Sequence, residues 1–102
     1  MAVENFQVLQ EKMSVLDKEL LYNIICKNIK AFRLEKYKEF KSSKNCNVIN
    51  PYSTENIAAL LDYNHNHYKR FESENDSTKR IPFDKLVKLS IILDKSLDDF
   101  IK

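Results

Sequence analysis

The sequence predicts an all-α protein. Apolar residues recur at steps of three and four along most of the chain, no stretch shows clear period-two alternation, and neither Pro nor Gly occurs before Pro51. At 102 residues the chain is one domain with room for a single modest core. Its hydrophobic (43%) and charged (31%) fractions are those of a soluble folded protein, not a disordered one. No apolar run approaches the roughly 18 residues a membrane span needs. No basic start leads into an apolar stretch, so neither a signal peptide nor a membrane partner is expected. Cys26 and Cys46 are isolated and lack a CxxC partner. They make no disulfide framework, and a reduced, cytoplasmic setting is the expectation.

Each helix has a local reason. The first, about 3–13, places Phe6, Leu9 and Met13 on one stripe. The second begins near Ser14 or Asp17, either of which can cap it. Leu21, Ile25, Ile29, Phe32 and Phe40 then keep a stripe that carries the helix to about Lys41. Residues 42–52, SSKNCNVINPY, are a loop by composition. Ser53 caps a third helix from Thr54 to Leu61, and Asn64 caps a fourth from His65 to about Ser73. Residues 74–80 form a polar loop. Pro82 suits the first turn of a fifth helix running to Leu93, with Phe83, Leu86, Leu89 and Ile92 or Leu93 inward. Ser96 caps a last short helix from Leu97 to Ile101.

Two compositional facts bear on function. Glycine is absent, so the ten asparagines must do much of the turn work, because Asn tolerates a positive φ better than most residues. The net charge is only +2, but it is unevenly spread. Residues 27–44 hold seven Lys or Arg and two acids, while the segments on either side are slightly acidic. A polyanion could meet this block; a solvated helix face is the plainer reading.

The most informative stretch is IAALLDYNHNHYKRFE, residues 57–72. Ile57, Leu60 and Leu61 are apolar at helical spacing. Asp62-Tyr63-Asn64 interrupts them, and Tyr68 and Phe71 resume the pattern while His65, Asn66, Lys69 and Arg70 point elsewhere. A helix-turn-helix has this layout, with one buried helix and a second whose outer face enters the DNA major groove.

Four segments carry a family resemblance: ICKNIKAFR at 25–33, STENIAALLD at 53–62, YNHNHYKRFE at 63–72 and FDKLVKLSIILDKSLDDF at 83–100. In that order they resemble the Cro/repressor-type (Xre-like) helix-turn-helix family. The resemblance implies a five-helix domain over residues 21–102, preceded by a helical extension over 1–20 and interrupted by a long insertion at 37–52. It also implies roles for particular residues. Asn64 sits at the cap of the recognition helix and near phosphate. His65, Asn66 and Arg70 sit where base edges are read. Thr54 sits where a polar side chain holds a phosphate, and Lys69, Lys79 and Arg80 are further phosphate contacts. Arg33 and Glu72 sit where an ion pair joins the first and third helices of the domain. The chain departs from the family at Asp62 and Glu74, where glycine is usual. Asp reaches the left-handed region at a cost glycine does not bear, and Glu74 shifts the helix end toward Asn75.

Plainer alternatives stand beside these. Tyr68, Phe71 and Tyr63 are core residues rather than base-stacking ones. His65 and His67 lie two apart, face different directions, and are not expected to share a metal. Lys36, Lys38, Lys41 and Lys44 flank the DNA backbone or solubilise a helix extension, the second being favoured. The apolar stripe of the extension, with Leu16, packs either on its own domain or on a second copy. A dimer would set two recognition helices about 34 Å apart. No Gly-rich phosphate loop, nucleophile elbow or metal cluster is present, so no enzyme, cofactor or catalytic residue is expected. The expectation is a transcriptional regulator, a repressor binding double-stranded DNA as a homodimer. The alternative is a protein-binding module on the same core, antitoxin-like or inhibiting a polymerase or nuclease.

Overall fold

The structure, a computed structural model, describes residues 5–43, 48–73 and 80–102. Six helices and no strand occur among them: α1 (Phe6–Ser14), α2 (Lys18–Ser42), α3 (Thr54–Leu60), α4 (His65–Glu72), α5 (Phe83–Ile92) and α6 (Leu97–Phe100). None is long and apolar enough to cross a membrane. Helix starts follow their capping residues. Asn5 accepts from the Val8 amide at 2.9 Å, Asp17 rather than Ser14 accepts from Leu20 at 3.1 Å, and Ser53 from Asn56 at 3.2 Å. Ser96 and Asp99 form a reciprocal capping box on α6. The Ser96 backbone amide, and then its hydroxyl, hold the Asp99 carboxyl below the usual carboxylate range.

The core gathers where α2, α3, α4, α5 and α6 meet. Ile25, Cys26 and Ile29 of α2 pack with Ile57, Ala58 and Leu61, with Tyr68 and Phe71, and with Leu86, Leu89, Leu93 and Phe100. Cys26 serves there as a small buried apolar residue; Cys46 lies outside the described residues. The ring of Phe32 meets Phe100 edge-on at 5.2 Å, and the Asn28 amide donates to the Phe100 carbonyl at 2.8 Å. Together these tie the end of the chain to the middle of α2. Beyond Arg33, α2 continues past the core to Ser42, so the first part of the 37–52 segment is simply more helix. The far side of this segment is tethered back to it. Asn50 donates to the Tyr37 carbonyl at 3.2 Å, its Oδ1 accepts from the Tyr52 amide at 2.9 Å, and its carbonyl accepts from Asn56 at 2.8 Å.

One sequence expectation is corrected, and two apolar positions left open by periodicity are placed. Phe83 is not inward but 70% exposed. It opens α5, and the Cα–Cβ bond of a first-turn residue leans toward the helix N-terminus, past the end of the core. Leu60 is exposed although Ile57 and Leu61 are buried. The buried arc of α3 runs through Ile57, Leu61 and Ala58, and Leu60 falls about 100° to one side of its centre. The stripe of α1 does not pack on its own domain, since no residue of α1 is buried.

Candidate functional site

The turn between α3 and α4 sets the geometry of the candidate site. Asp62 takes φ 57°, in the left-handed region. The Tyr63 amide donates to the Ala58 carbonyl at 2.9 Å and the Asp62 amide to the Ala59 carbonyl at 3.1 Å. This pair of bonds is a Schellman closure, made here without glycine. The same closure ends α5, where Asp94 has φ 54°. Lys85 adds a third restraint at the α3–α4 turn. Its ammonium donates to the Leu61 carbonyl at 2.7 Å and sits 5.0 Å from the centre of the Tyr63 ring. Tyr63 stacks on His67 at 5.0 Å, and His67 lies 5.8 Å from Phe71.

The inner face of α4 is pinned to α2 by charge as well as packing. Arg33 grips Glu72 with two donors, Nε to Oε2 at 2.6 Å and an Nη to Oε1 at 2.9 Å. Its other Nη donates to the Tyr52 carbonyl at 3.1 Å. The Tyr68 hydroxyl donates to the same Glu72 carboxylate. Burial alone would weaken the Arg33 guanidinium's hold on its proton. The hydrogen bonds and charge of Glu72 outweigh it, and the group is held above its ordinary value. Burial, followed by the charge of Glu72, pushes the Tyr68 hydroxyl well above the usual tyrosine range. The tyrosine therefore stays a neutral donor. The sequence reading places Tyr68 in the core without this bond, although its i,i+4 spacing to Glu72 is a legible signal. The Tyr52 carbonyl and Lys85 had no such local signal.

The outer face of α4 is what this clamp presents. Asn66, Lys69 and Arg70 are exposed and share an arc of about 100°, opposite the buried Tyr68 and Phe71. Asn64 caps the helix, its Oδ1 accepting from the Asn66 amide at 2.9 Å, so any outward donor from it is its side-chain NH2. His65 differs from its neighbours. It is half-buried, and its Nε2 lies 2.8 Å from the Thr54 hydroxyl. The first residues of α3 and α4 thus share one hydrogen bond, and Thr54 and His65 form one polar corner at the edge of the arc. His67 turns the other way, onto Tyr63, so the two histidines have separate surroundings. Arg80 stacks over Tyr22 of α2, 4.7 Å from the ring centre. Lys79, Glu74 and Asn75 lie outside the described residues, as does Lys44. On α2, Lys38 and Lys41 are exposed and Lys36 pairs loosely with Glu39 at 3.8 Å.

Comparison with protein-family models, with curated proteins and with solved structures finds no match.

Proposed function

We propose that this chain is a sequence-specific regulator of transcription that binds double-stranded DNA through a Cro/repressor-type helix-turn-helix, with α3 as the supporting helix and α4 as the reading helix. One observation carries the reading. Asn66, Lys69 and Arg70 form an exposed polar face on a helix whose opposite face is fixed by the Arg33–Glu72–Tyr68 network and whose entry is fixed by the turn at Asp62. A reading helix needs this combination, because base edges are discriminated by donors and acceptors held in register. In this scheme Arg70 makes the bidentate contact to guanine O6 and N7, and Asn66 pairs with adenine N6 and N7. Lys69 contacts phosphate. His65, engaged by Thr54, moves from the base readers to the phosphate-contacting edge together with Thr54. Bound at a promoter, the protein would act as a repressor by excluding polymerase.

Selection from a pool of random duplexes, repeated at two salt concentrations, tests this. An enriched site that Arg70→Ala relaxes at one position, with a loss of about 1–3 kcal/mol, is the expected result. The absence of any enriched sequence refutes it.

A second reading has its own observation. A shallow groove lined by Ile49, Pro51, Asn56, Ala59 and Leu60 lies beside α3, with Ile49 and Leu60 both exposed. An apolar surface there suits a protein-binding module, antitoxin-like or an inhibitor of a polymerase or nuclease. Binding through it would be nearly insensitive to salt.

A further inference from the structure

Past Arg33, α2 leaves the core, and none of its later residues is buried. Its far end is nevertheless built. Tyr37 and Phe40 are half-buried, and the Phe40 ring meets Tyr52 edge-on at 6.3 Å. Asn50, through its bond to the Tyr37 carbonyl, fixes the returning chain beside them, with Val48 left 62% exposed. Phe40 is common to two open hollows. One, of about 330 Å³, is lined by Tyr37, Phe40, Lys41, Val48 and Asn50. The other, of about 290 Å³, is lined by Lys36, Glu39, Phe40, Ser43 and Tyr52. The charge around them is one-sided. Residues 36–43 carry three lysines and one acid. Lys36 lies 3.8 Å from Glu39, the acid. Lys38 and Lys41, three residues apart on the helix surface, are exposed and have no ion-pair partner among the described residues.

We propose that this end of α2 docks a short acidic segment of another protein. Bulky apolar side chains of the partner seat in the hollows that Phe40 shares, and its carboxylates face Lys41 and Lys38. Shape and charge together select this occupant. Aromatic and aliphatic walls around a recess reward a side chain that leaves water to fill it. A phosphate backbone brings no such side chain, and a bilayer surface does not enter a recess. The two unpaired lysines attract carboxylates and turn away a basic segment, because like charges brought together across an interface cost affinity. The same rule disfavours a second copy of this chain paired through the same patch, since lysine would meet lysine. The inference rests neither on nucleic-acid binding by α4 nor on the groove beside α3.

Selection of random peptides against the full chain, followed by amide shift mapping in nuclear magnetic resonance with the most enriched peptide, is the test. The expected peptides join Asp or Glu to bulky apolar residues and shift the amides of Tyr37, Phe40, Lys41, Val48 and Asn50. Val48→Asp should weaken that peptide by roughly tenfold, as loss of a central apolar contact does. Lys41→Glu should weaken it by about fivefold at low salt, with the difference shrinking as salt rises. Both side chains are exposed, so thermal unfolding of the two variants should match that of the parent chain. The absence of enriched peptides overturns the proposal, as do enriched peptides that lack acids or shift amides elsewhere. So does unchanged affinity in both variants. Shifts at these same amides produced only by anionic vesicles, or only by self-association of the chain, also overturn it. The peptide measurements contain no DNA, so their failure and that of the nucleic-acid reading are told apart.

Discussion

Loss of Glu72 is expected to be among the most damaging single changes in this protein. Arg33 and Glu72 have side chains 9% and 8% exposed, so water rescues neither ion when the other is removed. In Glu72→Ala the guanidinium keeps only the Tyr52 carbonyl, and the Tyr68 hydroxyl loses its acceptor. Breaking one side of a buried pair costs about 3–5 kcal/mol. An orphaned buried hydroxyl costs about 1–3 kcal/mol. Because the two penalties share a site they do not add fully, and about 4–6 kcal/mol is expected. A domain with about 5–15 kcal/mol in total loses a large part of its stability. Arg33→Met should cost about 3–5 kcal/mol for the complementary reason, a carboxylate left buried. The combined Arg33→Met, Glu72→Leu, Tyr68→Phe variant removes all three polar groups and should return to within about 2 kcal/mol of the parent. Urea unfolding followed by circular dichroism at neutral pH measures each, and the single and combined changes close a thermodynamic cycle. A combined variant as unstable as the sum of its single changes would refute the reasoning. It would mean that the network contributes shape rather than mutual satisfaction of charges.

Three further outcomes follow from the same geometry. Asp62→Gly and Asp94→Gly should each stabilise the fold by about 0.5–1 kcal/mol, because glycine reaches the left-handed region without the strain a Cβ brings, less its own larger unfolded-state entropy; a lowered melting temperature for either contradicts this. Stability should be insensitive to Tyr68 through neutral pH and fall above about pH 10, the ordinary tyrosine value. The hydroxyl's folded value is raised, so above that pH the unfolded chain sheds a proton that the folded chain keeps, and Tyr68→Phe should flatten this alkaline limb in a pH series of unfolding curves. If Lys69, Lys79 and Arg80 are the phosphate contacts, log affinity for duplex DNA should fall against log salt with a slope of about −2.7 per copy; Lys69→Ala should reduce the slope by about one.

The sequence was legible wherever the controlling physics was local. Helix type and order follow from apolar spacing, and Asp17, Ser53, Asn64 and Ser96 cap the helices they precede because a short polar side chain reaches the next turn's amides. The interruption at Asp62 marked the turn between α3 and α4, and the burial of Tyr68 and Phe71 was readable from their three-residue spacing. The partnership of Arg33 with Glu72 was anticipated through a family resemblance, not through spacing, since 39 residues separate the two. Tertiary structure alone decided what depends on neighbours distant in sequence. It brought Lys85 to the Leu61 carbonyl, engaged His65 with Thr54, and laid Arg80 over Tyr22. It also decided which apolar residues the core had room for. Phe83, Leu60 and the α1 stripe satisfy helical periodicity as well as Leu86 or Ile57 do, yet stay outside. Periodicity names a face, and only the arrangement of the other helices determines whether anything covers it.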